Sequence, residues 1–264
     1  MTVTSPAGFV AAGVACGLKK SGNKDLALVQ NLGPLYNSAV VFTSNRCKAN
    51  PILWSQQVIA DGRVEAIVLN SGGANCYTGP QGFQVTHSTA ESVADALGVS
   101  AGDVLVCSTG LIGEQLPLEK LQAGVHLASE ALGATAANSL EAGMAAAEAI
   151  MTTDSKPKTV QISGGSAAAG NYSIGGMAKG AGMLAPGLAT MLVVITTDAH
   201  LESHELDTAL RAATRVTFDR LDSDGCMSTN DQVTLMASGA SGVSPDLLEF
   251  TDRLTEACAS LALQ

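Results

Sequence analysis

Apolar residues recur along this chain with two different periods. Short alternating or β-branched runs at 26–30, 39–43, 66–70, 104–107, 159–162 and 191–196 predict strands. Longer stretches carry apolar residues at i, i+3 and i+4, several of them rich in alanine. They predict helices over 51–61, 82–97, 117–132, 139–151, 203–217 and 245–262. Strands and helices are mixed, which places the chain in the α/β class. Their order is too irregular for a repeated strand–helix–strand unit, and no internal repeat is evident. Glycines gather at 71–74, 164–170 and 175–187, where the backbone is expected to turn sharply or to approach a ligand closely. The run SGGSAAAG at 163–170 lies between two strand-like segments and predicts a hairpin connection, not a domain boundary.

Composition narrows the possibilities. With 264 residues, 46% of them hydrophobic, the chain can bury one sizeable core or two modest ones. The 14 Lys and Arg against 24 Asp and Glu give a formal charge of −10, and no basic run offsets the excess, so nucleic acid is not an expected partner. The first residues contain no basic segment leading into a long apolar run, and no stretch reaches the ~20 apolar residues that a membrane helix needs. A soluble, cytoplasmic protein with neither signal peptide nor membrane span is expected. The 6 cysteines form no C-x-x-C pair and have no histidine at zinc-like spacing, which predicts reduced thiols and neither a disulfide framework nor a metal site.

Several motifs fail on chemical grounds. Gly180–Ala185 fits G-x-G-x-x-A, but Pro186 and Gly187 would break the helix that must carry a pyrophosphate. Gly170–Gly175 is followed by Gly176 where a P-loop needs lysine. In the acidic stretch DRLDSDGCMSTND, a calcium loop would put Arg220 at its first ligand position, so the stretch reads as a turn capping whatever follows. His87, His126, His200 and His204 have no serine or cysteine partner in a nucleophile elbow and read as surface or packing residues.

One segment asks for chemistry. From Gly175 to Ala199 a glycine-rich loop containing Lys179 runs through Pro186-Gly187 into Ala189-Thr190, and Thr190 opens an apolar strand. A hydroxyl there, after a small residue, suits a nucleophile freed by autoproteolysis. Thr190 Oγ would attack the Ala189 carbonyl, and the shift to an ester followed by its hydrolysis would leave a free amine whose reference pKa of about 8 lets it act as base for its own hydroxyl. Taken alone, the pattern is more often that of a β-branched residue opening a strand.

This segment resembles the signature of the bacterial glutamate N-acetyltransferase/ornithine acetyltransferase family of arginine biosynthesis. So do LNSGGANCYTG at 69–79, CSTGLIGEQLP at 107–117, AIMTTDSKPK at 149–158 and FDRLDSDGCMSTNDQVTLMASG at 218–239, all in the family's order. The resemblance implies an N-terminal-nucleophile-type layered sandwich of mixed sheets and helices, as in the ornithine acetyltransferases and DmpA-like aminopeptidases. It implies cleavage between Ala189 and Thr190 into fragments 1–189 and 190–264, Thr190 as nucleophile, and Thr109 and Gly110 as the oxyanion hole, where one donor is worth roughly 3 to 4 kcal/mol. Thr152 and Lys179, with Thr190, are implied to bind the substrates. The reaction implied is acetyl transfer from N-acetylornithine to glutamate by a ping-pong route without a cofactor, in a heterotetramer of two α and two β fragments; whether acetyl-CoA is also a donor stays open. Members of the family run on past the counterpart of residue 264 into a region that supplies further substrate contacts, so the second fragment reads as incomplete and the chain as written is expected to mature but to transfer poorly. A related amidohydrolase or aminopeptidase using the same threonine, and an inactive truncated remnant, are the alternative readings.

Overall fold

The computed structural model of the chain describes residues 2–134, 138–166, 170–183 and 191–264. Nine strands form two sheets among these residues: β1 (Phe9–Val14), β2 (Leu26–Asn31), β3 (Asn37–Phe42), β4 (Ala66–Asn70), β5 (Val104–Ser108), β6 (Lys158–Ser166), β7 (Gly170–Lys179), β8 (Leu192–Thr197) and β9 (Gln232–Ala237). The first sheet has the order β1-β2-β4-β5 and the second β3-β9-β8-β7-β6. Only β4 with β5 and β8 with β9 run parallel, each pair joined through a helix; the other pairings are antiparallel. The helices are α1 (Asn50–Val58), α2 (Gly79–Leu97), α3 (Leu118–Ala134), α4 (Leu140–Ala149), α5 (Ser203–Val216) and α6 (Leu247–Leu263).

The alternation of side chains along each strand sorts the core into layers. Along β8, Leu192 and Val194 face a cluster shared with Ile67, Leu69, Leu105, Met177 and Met236, which fills the space between the two sheets. Val193 and Ile195 point the other way, onto Leu206 and Leu210 of α5 and Phe250 and Leu254 of α6. The outer face of the first sheet, with Val68 and Val106, packs on Val85 and Val93 of α2 and Leu121 and Val125 of α3. The result is a helix–sheet–sheet–helix sandwich, the layered α/β architecture that the sequence implied.

The six expected strands and six expected helices are all present, with ends moved by a few residues. The SGGSAAAG run joins β6 to β7 as a hairpin, its register closing at Ser166 and Gly170. Three further strands, β1, β7 and β9, were not expected. The glycine cluster at 175–187 is in part such a strand: Gly175 and Gly176 lie inside β7, and a Cβ on Gly175 would stand 2.2 Å from the carbonyl oxygen of Thr2. Close approach is indeed the reason for that glycine, but what approaches is the N-terminal backbone and not a ligand.

Candidate functional site

β4 and β5 run parallel and end together, and the candidate site starts where they stop. Thr109 N–H donates to Asn70 O at 2.9 Å, carrying the ladder one step past β5. The chain then turns at Gly110 with φ +134°, where an added Cβ would lie 2.9 Å from Gly73 Cα and Gly73 N. Two backbones pass in contact at this point, and only glycine fits. The STG and SGG motifs, far apart in sequence, are thus two sides of one crossing. Because the Thr109 N–H is already engaged, its hydroxyl is the group left to act. That oxygen accepts a hydrogen bond from Lys179 Nζ at 3.0 Å, which leaves its own proton to donate elsewhere. The Gly110 N–H has no partner among the described residues. Thr109 and Gly110 line a cavity of about 190 Å³ together with Ala74, Leu111, Met183 and Asn230. Two free donors at such a cavity can receive a developing negative charge.

Lys179 ends β7; it is on a strand, not on the glycine loop expected of it. Its side chain reaches the crossing from the opposite sheet and is 2% exposed. Burial is the main cause that pushes its ammonium down to about 8; Lys158 and Lys19 add to the lowering, while Asp154 and Asp231 pull the other way. Asp154 organises the flank. Its Oδ1 accepts from Gly180 N–H at 2.8 Å and from Lys158 Nζ, and its Oδ2 accepts from Thr152 N–H at 3.1 Å. Burial would raise this carboxyl, yet those three hydrogen bonds outweigh it and hold Asp154 below its usual range. Thr152 itself is exposed, beside a cleft of about 580 Å³ that also touches Lys19, Lys24 and Asp154. The structure therefore joins Thr109, Gly110 and Lys179 directly and brings in Thr152 through Asp154. Ala189 and Thr190 lie outside the described residues; Met191, the next along the chain, is buried at the foot of β8.

The acidic stretch at 219–231 contains a turn, in which Asp222 and Asp224 accept backbone N–H groups, but its tail does more than cap. Ser228, Thr229, Asn230 and Asp231 are all buried and enter the site just before β9. Asn230 Nδ2 donates to Ala74 O at 2.6 Å and to Ser108 O at 2.9 Å. Asp231 Oδ1 accepts Met191 N–H at 2.8 Å, and its Oδ2 has no hydrogen-bond partner among the described residues. Burial raises this carboxyl to about 7, against the Met191 N–H, the Ser228 hydroxyl, the Lys179 charge and the Thr43 hydroxyl; the two hydroxyls favour the ionised form without hydrogen-bond geometry to Oδ2. Sequence reasoning missed both residues. The available signal was an Asn-Asp pair directly before an apolar run, which reads equally well as a cap. No three His, Cys, Asp or Glu side chains among the described residues gather closely enough to hold a metal ion. The four histidines stand apart from this site: His87 packs on the Trp54 ring, and His126, His200 and His204 are exposed.

Known proteins carry the same arrangement of sequence. The arginine biosynthesis bifunctional protein ArgJ of Streptomyces coelicolor is 58% identical over 264 residues, which is 100% of this chain and 66% of that protein. The chain thus spans 66% of the length of that curated relative. A solved structure of ornithine acetyltransferase complexed with ornithine, from Mycobacterium tuberculosis, is 52% identical with a TM-score of 0.65, covering 72% of this chain and 96% of that one. The L-aminopeptidase D-Ala-esterase/amidase of Ochrobactrum anthropi, described as a variant of the N-terminal-nucleophile hydrolase fold, is only 13% identical. It superposes over 98% of this chain and 85% of its own, with a TM-score of 0.54, and so bears on the fold alone. The profile that defines the ArgJ family matches from residue 10 to residue 264, and by that match and the whole-chain identity this protein belongs to the ArgJ family.

Proposed function

We propose that this chain is a cytoplasmic acetyltransferase of arginine biosynthesis, which moves an acetyl group from N-acetylornithine to glutamate through an ester on Thr190. The observation that carries this reading is the hydrogen bond from Lys179 Nζ to Thr109 Oγ1, which links two family motifs 70 residues apart within reach of the strand that Thr190 precedes. In maturation, Thr190 Oγ attacks the Ala189 carbonyl, the peptide C–N bond breaks as the ester forms and frees the Thr190 amine, and water then cleaves the ester to the Ala189 carboxylate and the Thr190 hydroxyl. In turnover that amine takes the hydroxyl proton, Thr190 Oγ attacks the acetyl carbonyl, and the Thr109 hydroxyl and Gly110 N–H receive the charge that develops on oxygen. The Thr190 amine passes that proton to the ornithine nitrogen as the amide C–N bond breaks and ornithine leaves, and the glutamate amine then attacks the acetyl ester, so that the ester C–O bond breaks and the Thr190 hydroxyl is restored. Lys179 and Thr152 bind the substrates, Lys179 by attracting the α-carboxylate that donor and acceptor share. No cofactor takes part; acetyl-CoA enters, if at all, as a second donor. The two fragments pair into a heterotetramer of two α and two β chains.

The coverage of the Mycobacterium structure supports a break near residue 190, since a first fragment of 189 residues out of 264 is 72% of this chain, the share that the solved chain covers. An intact-mass spectrum of the purified protein tests the reading. Expected are fragments 1–189 and 190–264, the second of 264 − 189 = 75 residues, and a single uncut chain for Thr190→Ala. One uncut mass for folded wild type would overturn the assignment. Incubation with N-acetylornithine and glutamate then reads the acceptor: N-acetylglutamate is expected, and free acetate in its place would favour the amidohydrolase. Replacing N-acetylornithine with acetyl-CoA reads the second donor.

A further inference from the structure

The Asn230-Asp231 pair reaches both halves of the candidate site from one point of the chain. Neighbouring side chains leave an extended backbone on opposite sides, and here one goes to each sheet. Both amide protons of Asn230 are used, on Ala74 O and Ser108 O, and its Oδ1 accepts from Thr229 Oγ1 at 2.6 Å, so three partners fix the orientation of the amide. Ser108 C=O belongs to the same peptide unit as Thr109 N–H, which is held on Asn70 O. That peptide is pinned from both ends, and the direction of the Thr109–Gly110 turn follows from it. On the other side, Asp231 Oδ1 takes Met191 N–H, while Met191 O accepts from Gln232 N at 3.2 Å. The residue that follows Thr190 is thereby held through both its N–H and its C=O.

What the pair supplies is direction: Asn230 gives two donors to the carbonyls beside the turn, and Asp231 gives one acceptor to the Met191 N–H. We propose that Asn230 and Asp231 act together as a positioning brace, which sets the backbone carrying the nucleophile against the turn carrying the oxyanion donors. The proposal rests on the reading of Thr190 as a self-cleaving nucleophile, because cleavage is the reaction in which the relation between those two backbones can be timed directly.

The experiment is a pulse-chase of the full chain made by cell-free synthesis, with the first-order rate of cleavage read by mass and the folded fraction by near-UV circular dichroism. Asn230→Ala and Asp231→Ala are each expected to slow cleavage about tenfold or more at an unchanged folded fraction. The double variant should be no slower than the slower single, since residues that act as a unit are non-additive. Two isosteric exchanges should diverge: Asp231→Asn keeps an acceptor for Met191 N–H and should stay within about threefold of wild type, whereas Asn230→Asp replaces donors to two carbonyls by acceptors and should be at least about tenfold slower. If an alanine variant fails to fold, this isosteric pair decides. Wild-type rates in Asn230→Asp, losses that add fully in the double variant, or a slow Asp231→Asn would each overturn the brace. A wild-type chain that never cuts would instead overturn the reading of Thr190, so the two failures are told apart.

Discussion

Lys179 meets Thr109 through an ammonium whose pKa is pushed down to about 8, so its charge is lost under mildly alkaline conditions. The direction of the effect on binding follows. Below that value the ammonium is charged and attracts an α-carboxylate; above it the neutral amine does not, and affinity should fall about tenfold for each further pH unit. Calorimetric titration of the cut protein with glutamate on either side of about pH 8 checks this. Lys179→Met should bind weakly throughout with the alkaline limb gone, and an unchanged limb in that variant would place the titrating group elsewhere. The choice of Thr109 over serine or glycine at the turn is also visible at this scale. With its N–H spent on Asn70 and its oxygen accepting from Lys179, the hydroxyl has one proton left and a restricted direction in which to give it.

At the scale of elements, the strands that periodicity found are those whose own residues carry the signal, such as IVLN in β4 and VLVC in β5, where apolar residues are buried on both faces. The strands it missed owe their state to neighbours. β1 reads FVAAGV and β7 reads GNYSIGGMAK, sequences with weak strand preference, but each is held by an antiparallel partner along its length. The site was legible to the same degree: Thr109, Gly110 and Lys179 stand in recognisable motifs, whereas Asn230 and Asp231 gain their meaning only from the Ser108 carbonyl of β5 and the Met191 amide just before β8, which no local pattern reveals. Glycine in β7 is where this dependence can be measured. Gly175→Ala would drive a methyl to 2.2 Å from Thr2 O and 2.7 Å from Pro6 Cδ, so the N-terminal segment would have to move. A loss of about 1–3 kcal/mol is expected, seen as a lower urea midpoint at an unchanged slope. A variant as stable as wild type would mean that the 2–6 segment yields freely.

For the molecule as a whole, the second sheet matters most because of how the proposed fragments share it. In the order β3-β9-β8-β7-β6, the two strands that lie after residue 190 form a parallel pair with strands from before it on either side. Six residues of β9 pair with β3 and six of β8 with β7, and Leu192 and Met236 enter the core between the sheets. Removing the second fragment would open that core, so the cut ends should stay together under native conditions. The molecularity of unfolding is what changes. Before the cut, the proposed assembly unfolds to two chains; afterwards it unfolds to four, whose return has a higher order in concentration. The thermal midpoint of the cut protein should therefore rise more steeply with concentration than that of uncut Thr190→Ala. Scans at several dilutions test this directly, and equal slopes for a fully cut sample and the uncut variant would show that the fragments melt without parting. Self-cleavage, on this account, makes the stability of the protein depend more strongly on how much of it is present.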